Sequence, residues 1–184
     1  AAAWRGSAAS AKLLDSSPYY SYVNAMDGVS WVGNRGVNPV RAQLWTDGQA
    51  GAVGLTPAGS SCAQGLAVHG STQGGGAEVG NHSHAALWNG TAGSFVDLNP
   101  SGALSSSIRA MDTSGQAGDL SLVQGIPRAA LWHGTADSVV DLHPADAYAS
   151  SAQAISNGRQ GGYVQFVRDG PRHAALWSGT ADSF

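Results

Sequence analysis

Cysteine, lysine and glutamate are almost missing from this chain of 184 residues. It has one cysteine, Cys62, one lysine, Lys12, and one glutamate, Glu78. A single cysteine excludes a disulfide within the chain and leaves the redox compartment open. Lysine and glutamate usually cover the exposed faces of helices, so their scarcity argues against helices. A GC-rich genome that replaces lysine by arginine would produce the same bias.

Charge and long apolar runs are also scarce. Charged residues make up 11% of the chain and the formal net charge is -3, which provides no basic field for a nucleic acid or an anionic membrane. We therefore expect no nucleic-acid partner. No apolar run approaches 18 residues, so we expect no membrane span. The chain has no initiating Met and begins and ends inside a repeat, so we expect a processed product or a fragment.

Apolar residues and glycine, in contrast, are plentiful. Hydrophobic residues reach 42%, which is enough for a folded core, and 26 glycines indicate many tight turns. The stretch 129–142 then explains most of the chain, because a close copy covers 85–98 and a shorter one covers 174–184. Weaker copies cover 42–55 and 1–16. The chain is a repeat array.

Two independent patterns follow this repeat. The first is a tryptophan that recurs at intervals of 41 to 45 residues, at Trp4, Trp45, Trp88, Trp132 and Trp177. The second consists of alanine, an apolar residue, four turn-type residues, glutamine, any residue and glycine. It covers 67–75, 110–118 and 154–162, and also 25–33, where Trp31 replaces the glutamine.

Each unit divides into four short strands separated by turn signals such as Asn89-Gly90, the Asn99-Pro100 segment and Asp112 to Gly115. We therefore predict an all-β fold, a β-propeller of four to five four-stranded blades of 41–45 residues. A β-trefoil and an open fragment of a larger propeller are the alternatives. The whole chain, 1–184, forms one array with repeats at about 1–41, 42–84, 85–128, 129–173 and a partial 174–184. Blade boundaries are expected to cut across these repeats, so that strands from the two ends complete one blade.

The segments His84-Ala85-Ala86-Leu87-Trp88 and His173-Ala174-Ala175-Leu176-Trp177, together with Val96-Asp97-Leu98 and the glutamine pattern, resemble the bacterial extracellular HAF-type repeat. Arg128 and Arg41 replace the histidine in other copies, and alanine stands where the family has an aromatic. The resemblance implies a secreted or cell-surface protein of β-propeller type. It implies no catalytic residues.

The turns are the first candidates for a binding site, because loops on a rigid scaffold often carry function. We predict ligand contacts at Asp27, His69, Asp112 and Asn157. The recurring Trp88, Trp132 and Trp177 are candidate aromatic platforms for sugar rings, although packing between blades is the favoured interpretation.

Catalytic and metal sites have weaker support. Asp97 and Asp141 occupy the same position of the repeat, where Asp15 also aligns and Gly54 replaces the aspartate. A pair of carboxylates can hydrolyse glycosides. Because repeats supply identical environments, we favour a structural role in capping turns or pairing with an arginine such as Arg128.

Histidines and glycines give no site either. His82 and His84 could form half of a metal site, but other copies lack a second imidazole, so we predict no metal and no cofactor. His143 is expected to be an exposed turn residue. The glycines 74–76 follow a strand without the helix and lysine of a phosphate loop.

The sequence thus predicts a non-catalytic extracellular or cell-surface binding or scaffold module, with a carbohydrate or a protein as the candidate ligand. A polysaccharide hydrolase or lyase with a site at the propeller axis is one alternative. The other is a self-assembly module, so both a monomer and a homo-oligomer that closes the ring are compatible with the sequence.

Overall fold

The protein is all-β in the computed structural model, which describes residues 1–3, 7–49 and 51–184. Trp4, the first tryptophan of the repeat, lies outside these residues. The strands form an N-terminal hairpin and four antiparallel sheets. The hairpin pairs β1 (Ala2–Ala3) with β2 (Lys12–Leu13). No helix in the described part of the chain is long and apolar enough to cross a membrane.

Each sheet is a meander whose strands follow the chain order, because short turns join neighbouring strands. Sheet A contains β3 (Ser21–Asp27), β4 (Ser30–Arg35), β5 (Arg41–Thr46) and β6 (Val53–Gly54). Sheet B contains β7 (Ala63–His69), β8 (Thr72–Val79), β9 (His82–Trp88) and β10 (Val96–Asp97). Sheet C contains β11 (Ser105–Asp112), β12 (Gly115–Val123), β13 (Ile126–Trp132) and β14 (Val140–Asp141). Sheet D contains β15 (Ala149–Ser156), β16 (Arg159–Gln165) and β17 (His173–Trp177).

Each sheet begins about half a unit after the start of a sequence repeat. Trp45, Trp88, Trp132 and Trp177 each lie on the third strand of their sheet. A 3-10 turn follows that strand at Ala92–Ser94, Ala136–Ser138 and Ala181–Ser183. The expected joining of the two ends is not seen among the described residues. The hairpin β1–β2 and the three strands of sheet D are separate sheets.

A β-bulge interrupts the first strand of every sheet, and a glycine faces it from the second strand. In sheet D the register shifts between Ala152 and Ala154. A Cβ atom on the facing Gly162 would lie 1.9 Å from the backbone oxygen of Ser151. Only glycine fits such an approach. This contact explains why glycine ends the glutamine pattern in all four copies.

The core lies between successive sheets, in three apolar clusters. The cluster between sheets A and B includes Val32, Leu44 and Trp88, and the one between B and C includes Leu87, Ile108 and Trp132. Between C and D, Leu131, Val164 and Trp177 contribute. Because each sheet offers an apolar face to the next, neighbouring sheets stabilise one another.

Candidate functional site

The recurring glutamine has a structural role. The side-chain oxygen of Gln73 accepts a hydrogen bond from the Gly90 amide at 2.8 Å, and Gln116 binds the Gly134 amide at the same distance. Gln160 binds the Gly179 amide at 3.0 Å. Each glutamine therefore fastens the turn that follows the tryptophan strand, which supplies a partner to an amide that would otherwise lack one. The first copy has Trp31 here and cannot form this bond.

The four predicted ligand contacts form two pairs between neighbouring sheets. Asp27 Oδ2 accepts a hydrogen bond from the Gly70 amide at 2.6 Å and lies 3.5 Å from His69 Nδ1. Asp112 Oδ2 accepts one from the Asn157 amide at 2.8 Å. These contacts link the turn between the first two strands of one sheet to the corresponding turn of the next. Ligand binding at these turns stays a prediction, and their observed contacts join the sheets.

Hydrogen bonds stabilise the charged form of the Asp112 carboxylate. Burial opposes its ionisation, but hydrogen bonds from Ser114 and from the Asn157 amide outweigh burial and lower the pKa of Asp112. The carboxylate therefore stays charged where it joins sheet C to sheet D.

The repeated carboxylates of the fourth strand are engaged in separate pairs. Asp97 Oδ2 lies 2.8 Å from His84 Nδ1, and Arg128 donates a hydrogen bond to Asp141. This matches the structural role that the sequence favoured, and it occupies His84, half of the metal motif considered above. Asp15 is not equivalent to Asp97 and Asp141. Leu13 pairs with Ala2 as Asp97 pairs with Ala86, so Leu13 occupies that position in the N-terminal hairpin.

His143 is buried, so the expectation of an exposed turn residue was wrong. Its Nδ1 lies 2.7 Å from Ser150 Oγ and its Nε2 lies 3.0 Å from the Ala147 carbonyl oxygen. Burial, followed by the charge of Arg128, lowers the pKa of His143. Asn99 makes the same two contacts one sheet earlier, to Ser106 and to Ala103. The imidazole therefore replaces an amide in a recurring internal network.

The proposed aromatic platforms are not accessible. Trp88, Trp132 and Trp177 are only 1%, 0% and 1% exposed. A sugar ring stacks on an open indole face, which none of the three offers here. Their large apolar surface is instead buried between sheets, and this packing is the physical reason for the recurrence. The described residues also contain no group of three or more side chains suited to a metal ion.

A depression with several polar side chains in its walls lies between sheets B and C and has a volume of about 390 Å³. Its walls come from the first three strands of sheet B with the β8–β9 turn and from the first two strands of sheet C. The side chains that line it include Gln64, Glu78, Asn81, Ser83, Ser107 and Arg109. We call this depression the Gly76 cleft, since Gly76 is also in its wall.

A missing side chain creates the Gly76 cleft. Strand pairing places Asn34, Gly76 and Asp119 at the same position of sheets A, B and C. Asn34 Oδ1 accepts a hydrogen bond from the Gly65 amide of the next sheet at 2.9 Å. Asp119 Oδ2 accepts one from Ser151 Oγ of sheet D, also at 2.9 Å. Gly76 has no such group, so the space between sheets B and C stays open.

The groups in the Gly76 cleft are suited to recognising hydroxyl groups. Amides at Gln64 and Asn81 both donate and accept, and Ser83 and Ser107 add hydroxyls. Arg109 donates to Asp119 at 2.9 Å, and Asp119 also binds Ser151, so that carboxylate is tied to the scaffold. Ser61 donates to Glu78. The arrangement can bind polar ligands through several directional hydrogen bonds.

Sequence reasoning missed the Gly76 cleft although a signal was present. The third residue after the glutamine slot reads Asn34, Gly76, Asp119 and Tyr163 in the four copies. One of these has no side chain. The run of glycines at 74–76 was tested only as a phosphate loop, and its position against a neighbouring sheet could not be read from one copy.

Comparison with known proteins adds no family to this description: no protein-family model, curated protein or solved structure matches the chain.

Proposed function

We propose that this protein is a non-catalytic binding module that takes a saccharide in the Gly76 cleft. The observation that carries the proposal is the gap at Gly76, where the contact between sheets that Asn34 and Asp119 make is missing and polar side chains remain. Amide and hydroxyl groups at fixed spacing suit the hydroxyls of a sugar ring. The volume of about 390 Å³ lies in the range of ligand sites.

We further propose that the sheets are blades of propeller type and that the chain is an extracellular or cell-surface member of the HAF-type repeats. The support is the four-stranded meander, its recurrence at 41–45 residues and the stacking of one sheet on the next. An open array of blades fits the separate terminal sheets better than a closed ring or a trefoil.

A glycan-array screen followed by calorimetry tests binding in the Gly76 cleft. The wild-type protein should bind an oligosaccharide, and Gly76→Asn should lose at least about tenfold in affinity because the new side chain fills the cleft. The nearest atom to the new Cβ is the movable Ser83 hydroxyl at 2.9 Å, so folding should survive. Gly93→Asn, at an open position of an exposed turn, is the matched control.

A second pair of variants protects the test against a folding defect. Gln64→Ala and Asn81→Ala remove exposed amides from the wall of the cleft and should weaken binding without lowering the melting temperature. Unchanged affinity in Gly76→Asn, or no glycan bound by the wild type, would contradict the proposal. Turnover of the bound oligosaccharide would instead favour the hydrolase alternative.

A self-assembly function has one observation in its favour. Leu176 of sheet D is 67% exposed, whereas Leu131, at the same position of sheet C, is 4% exposed because sheet D covers it. A second copy could cover Leu176 in the same way. Light scattering distinguishes the two functions: a concentration-dependent dimer that Leu176→Lys abolishes supports assembly, and a monomer at all concentrations opposes it.

A further inference from the structure

The second place where a glycine breaks the repeat is Gly54, and the break leaves an arginine without its counter-charge. Strand pairing aligns Gly54 with Asp97 and Asp141, the carboxylates of the fourth strand. Asp97 pairs with His84, and Asp141 pairs with Arg128. Arg41 is the residue of sheet A that corresponds to these two cations.

Arg41 is half-buried and has no carboxylate within 4 Å among the described residues. Its Nη1 donates a hydrogen bond to the Ser60 carbonyl oxygen at 3.2 Å, which supplies a dipole but no negative charge. A guanidinium that is partly removed from water keeps its full charge. It therefore favours an anion from outside the chain.

A cavity of about 420 Å³ adjoins this arginine. We call it the tyrosine cleft, and its walls include Tyr19, Tyr20, Val37, Pro39, Arg35 and Arg41. Tyr19 is 66% exposed and Tyr20 is 78% exposed, so their rings are open to a ligand, unlike the buried tryptophans. Rigid aromatic rings beside an arginine are the composition of strong binding sites.

The second arginine of the tyrosine cleft is already neutralised. Arg35 Nε donates to Asp15 Oδ2 at 2.8 Å, and the Asp15 side chain is only 3% exposed. Burial opposes the ionisation of Asp15, but the hydrogen bonds from Arg35 and Ser17 outweigh it and lower its pKa to about 2. The carboxylate thus stays charged at all ordinary pH values. One net positive charge remains in the cleft, on Arg41.

We propose that the tyrosine cleft binds a uronate, a sugar ring whose carboxylate pairs with Arg41 while an apolar ring face rests on the tyrosines. Carboxylate recognition by a guanidinium is strong and directional. The open aromatic faces favour a ring ligand over an extended acidic peptide, which has no flat apolar face to offer. The site is formed by the segment before β3, the β4–β5 loop and the adjoining ends of sheet A, and it does not depend on saccharide binding in the Gly76 cleft.

The decisive variant introduces at position 54 the aspartate that the equivalent positions of sheets B and C contain. In Gly54→Asp the new carboxylate stands where Asp97 and Asp141 stand and should pair with Arg41. The nearest atom to the added Cβ is Gln43 Nε2 at 4.0 Å, so there is room for the side chain. Gly93→Asp adds the same charge at a remote turn where Asp137 and Asp182 stand in other copies. It is the matched control.

The probe is digalacturonate, titrated by calorimetry at low ionic strength against its neutral methyl ester. We expect the wild type and Gly93→Asp to bind the acid, and Gly54→Asp and Arg41→Gln to lose about tenfold or more. Tyr20→Ala should lose binding as well, whereas Tyr22→Ala, outside the cleft lining, should not. The methyl ester should bind weakly to every variant.

Four results would overturn the proposal. Equal affinity for the acid and its methyl ester would show that the cleft does not recognise the carboxylate charge. Unchanged affinity in Gly54→Asp would show that Arg41 does not bind the carboxylate of the ligand. Equal affinity for tetraglutamate would show that the cleft recognises a carboxylate without requiring a sugar ring. Gly76→Asn should keep digalacturonate binding, and a loss in that variant would move the uronate to the Gly76 cleft.

Discussion

Ser150 Oγ lies 2.7 Å from His143 Nδ1 and also accepts the amide hydrogen of Ala129 at 2.8 Å. The Ala147 carbonyl can only accept, so the hydrogen of the neutral imidazole is on Nε2 and Ser150 donates to Nδ1. Asn99 makes the matching bonds with its amide nitrogen and oxygen. The same hydrogen-bond network thus contains an amide side chain in one place and an imidazole in the other, and only the imidazole titrates near neutral pH.

The histidine should make the protein less stable at mildly acidic pH. The pKa of His143 in the folded state is below its ordinary value of 6.5. Its contribution to the free energy of unfolding is therefore complete above pH 6.5 and is lost as the pH falls through the folded pKa. We expect His143→Asn to match the wild type at pH 8 within about 1 kcal/mol and to be increasingly more stable than the wild type below pH 6.5. Urea unfolding at a series of pH values measures this.

The converse variant is the control for that prediction. Asn99→His places an imidazole in the same network one sheet earlier and should add acid sensitivity. If His143→Asn and the wild type keep a constant difference in unfolding free energy from pH 8 to pH 5, His143 does not carry the dependence.

The close approach at the bulge predicts a large difference between two adjacent glycines. Gly162→Ala puts a Cβ 1.9 Å from the Ser151 carbonyl oxygen, and the backbone must move. At Gly161 the nearest atom to an added Cβ is 3.7 Å away, and sheet C already has Ala117 at that position. We expect a loss of about 3 kcal/mol in the first variant and less than about 0.5 kcal/mol in the second. Chemical denaturation would contradict this if the two variants lost equal stability.

A missing hydroxyl offers a stabilising substitution. Thr56 occupies the position of Asn99 and His143, and its buried hydroxyl has no hydrogen-bond partner among the residues that the structure describes. The reason is that Ala63 stands where the other sheets have Ser21, Ser106 and Ser150. We expect Ala63→Ser to raise the free energy of unfolding by about 1 kcal/mol. In a double-mutant cycle with Thr56→Val the gain should disappear, and a gain that persists would show that Thr56 is not the partner.

The strands could be predicted from the repeat, because the tryptophan pattern and the glutamine pattern recur at the same interval and independently mark turns and buried positions. Glutamine and glycine were correctly recognised as recurring, but their purposes depend on partners elsewhere in the sheet. Gln160 binds Gly179, and Gly162 faces Ser151 across a bulge that no local propensity encodes.

The candidate sites were harder to predict, because searching for chemistry favours conspicuous side chains. Asp97, Asp141, Trp88, Trp132 and Trp177 are conspicuous, and all five contact other parts of the scaffold. The Gly76 cleft instead arises where Gly76 lacks a side chain that other copies have, and the missing carboxylate at Gly54 leaves Arg41, in the wall of the tyrosine cleft, without an acidic partner among the described residues. Such gaps become meaningful only when strand pairing shows which residues are equivalent.

The equivalence of the glutamine contacts also affects how the chain reaches its fold. Gln73, Gln116 and Gln160 make the same bond to three glycines in matching turns, so each glutamine would fit a turn from the wrong copy. Kinetic traps by strand exchange between copies are the expected hazard of such an array. The two-residue turn between His69 and Thr72 limits the hazard, because a hairpin closes within microseconds and before a distant copy is encountered.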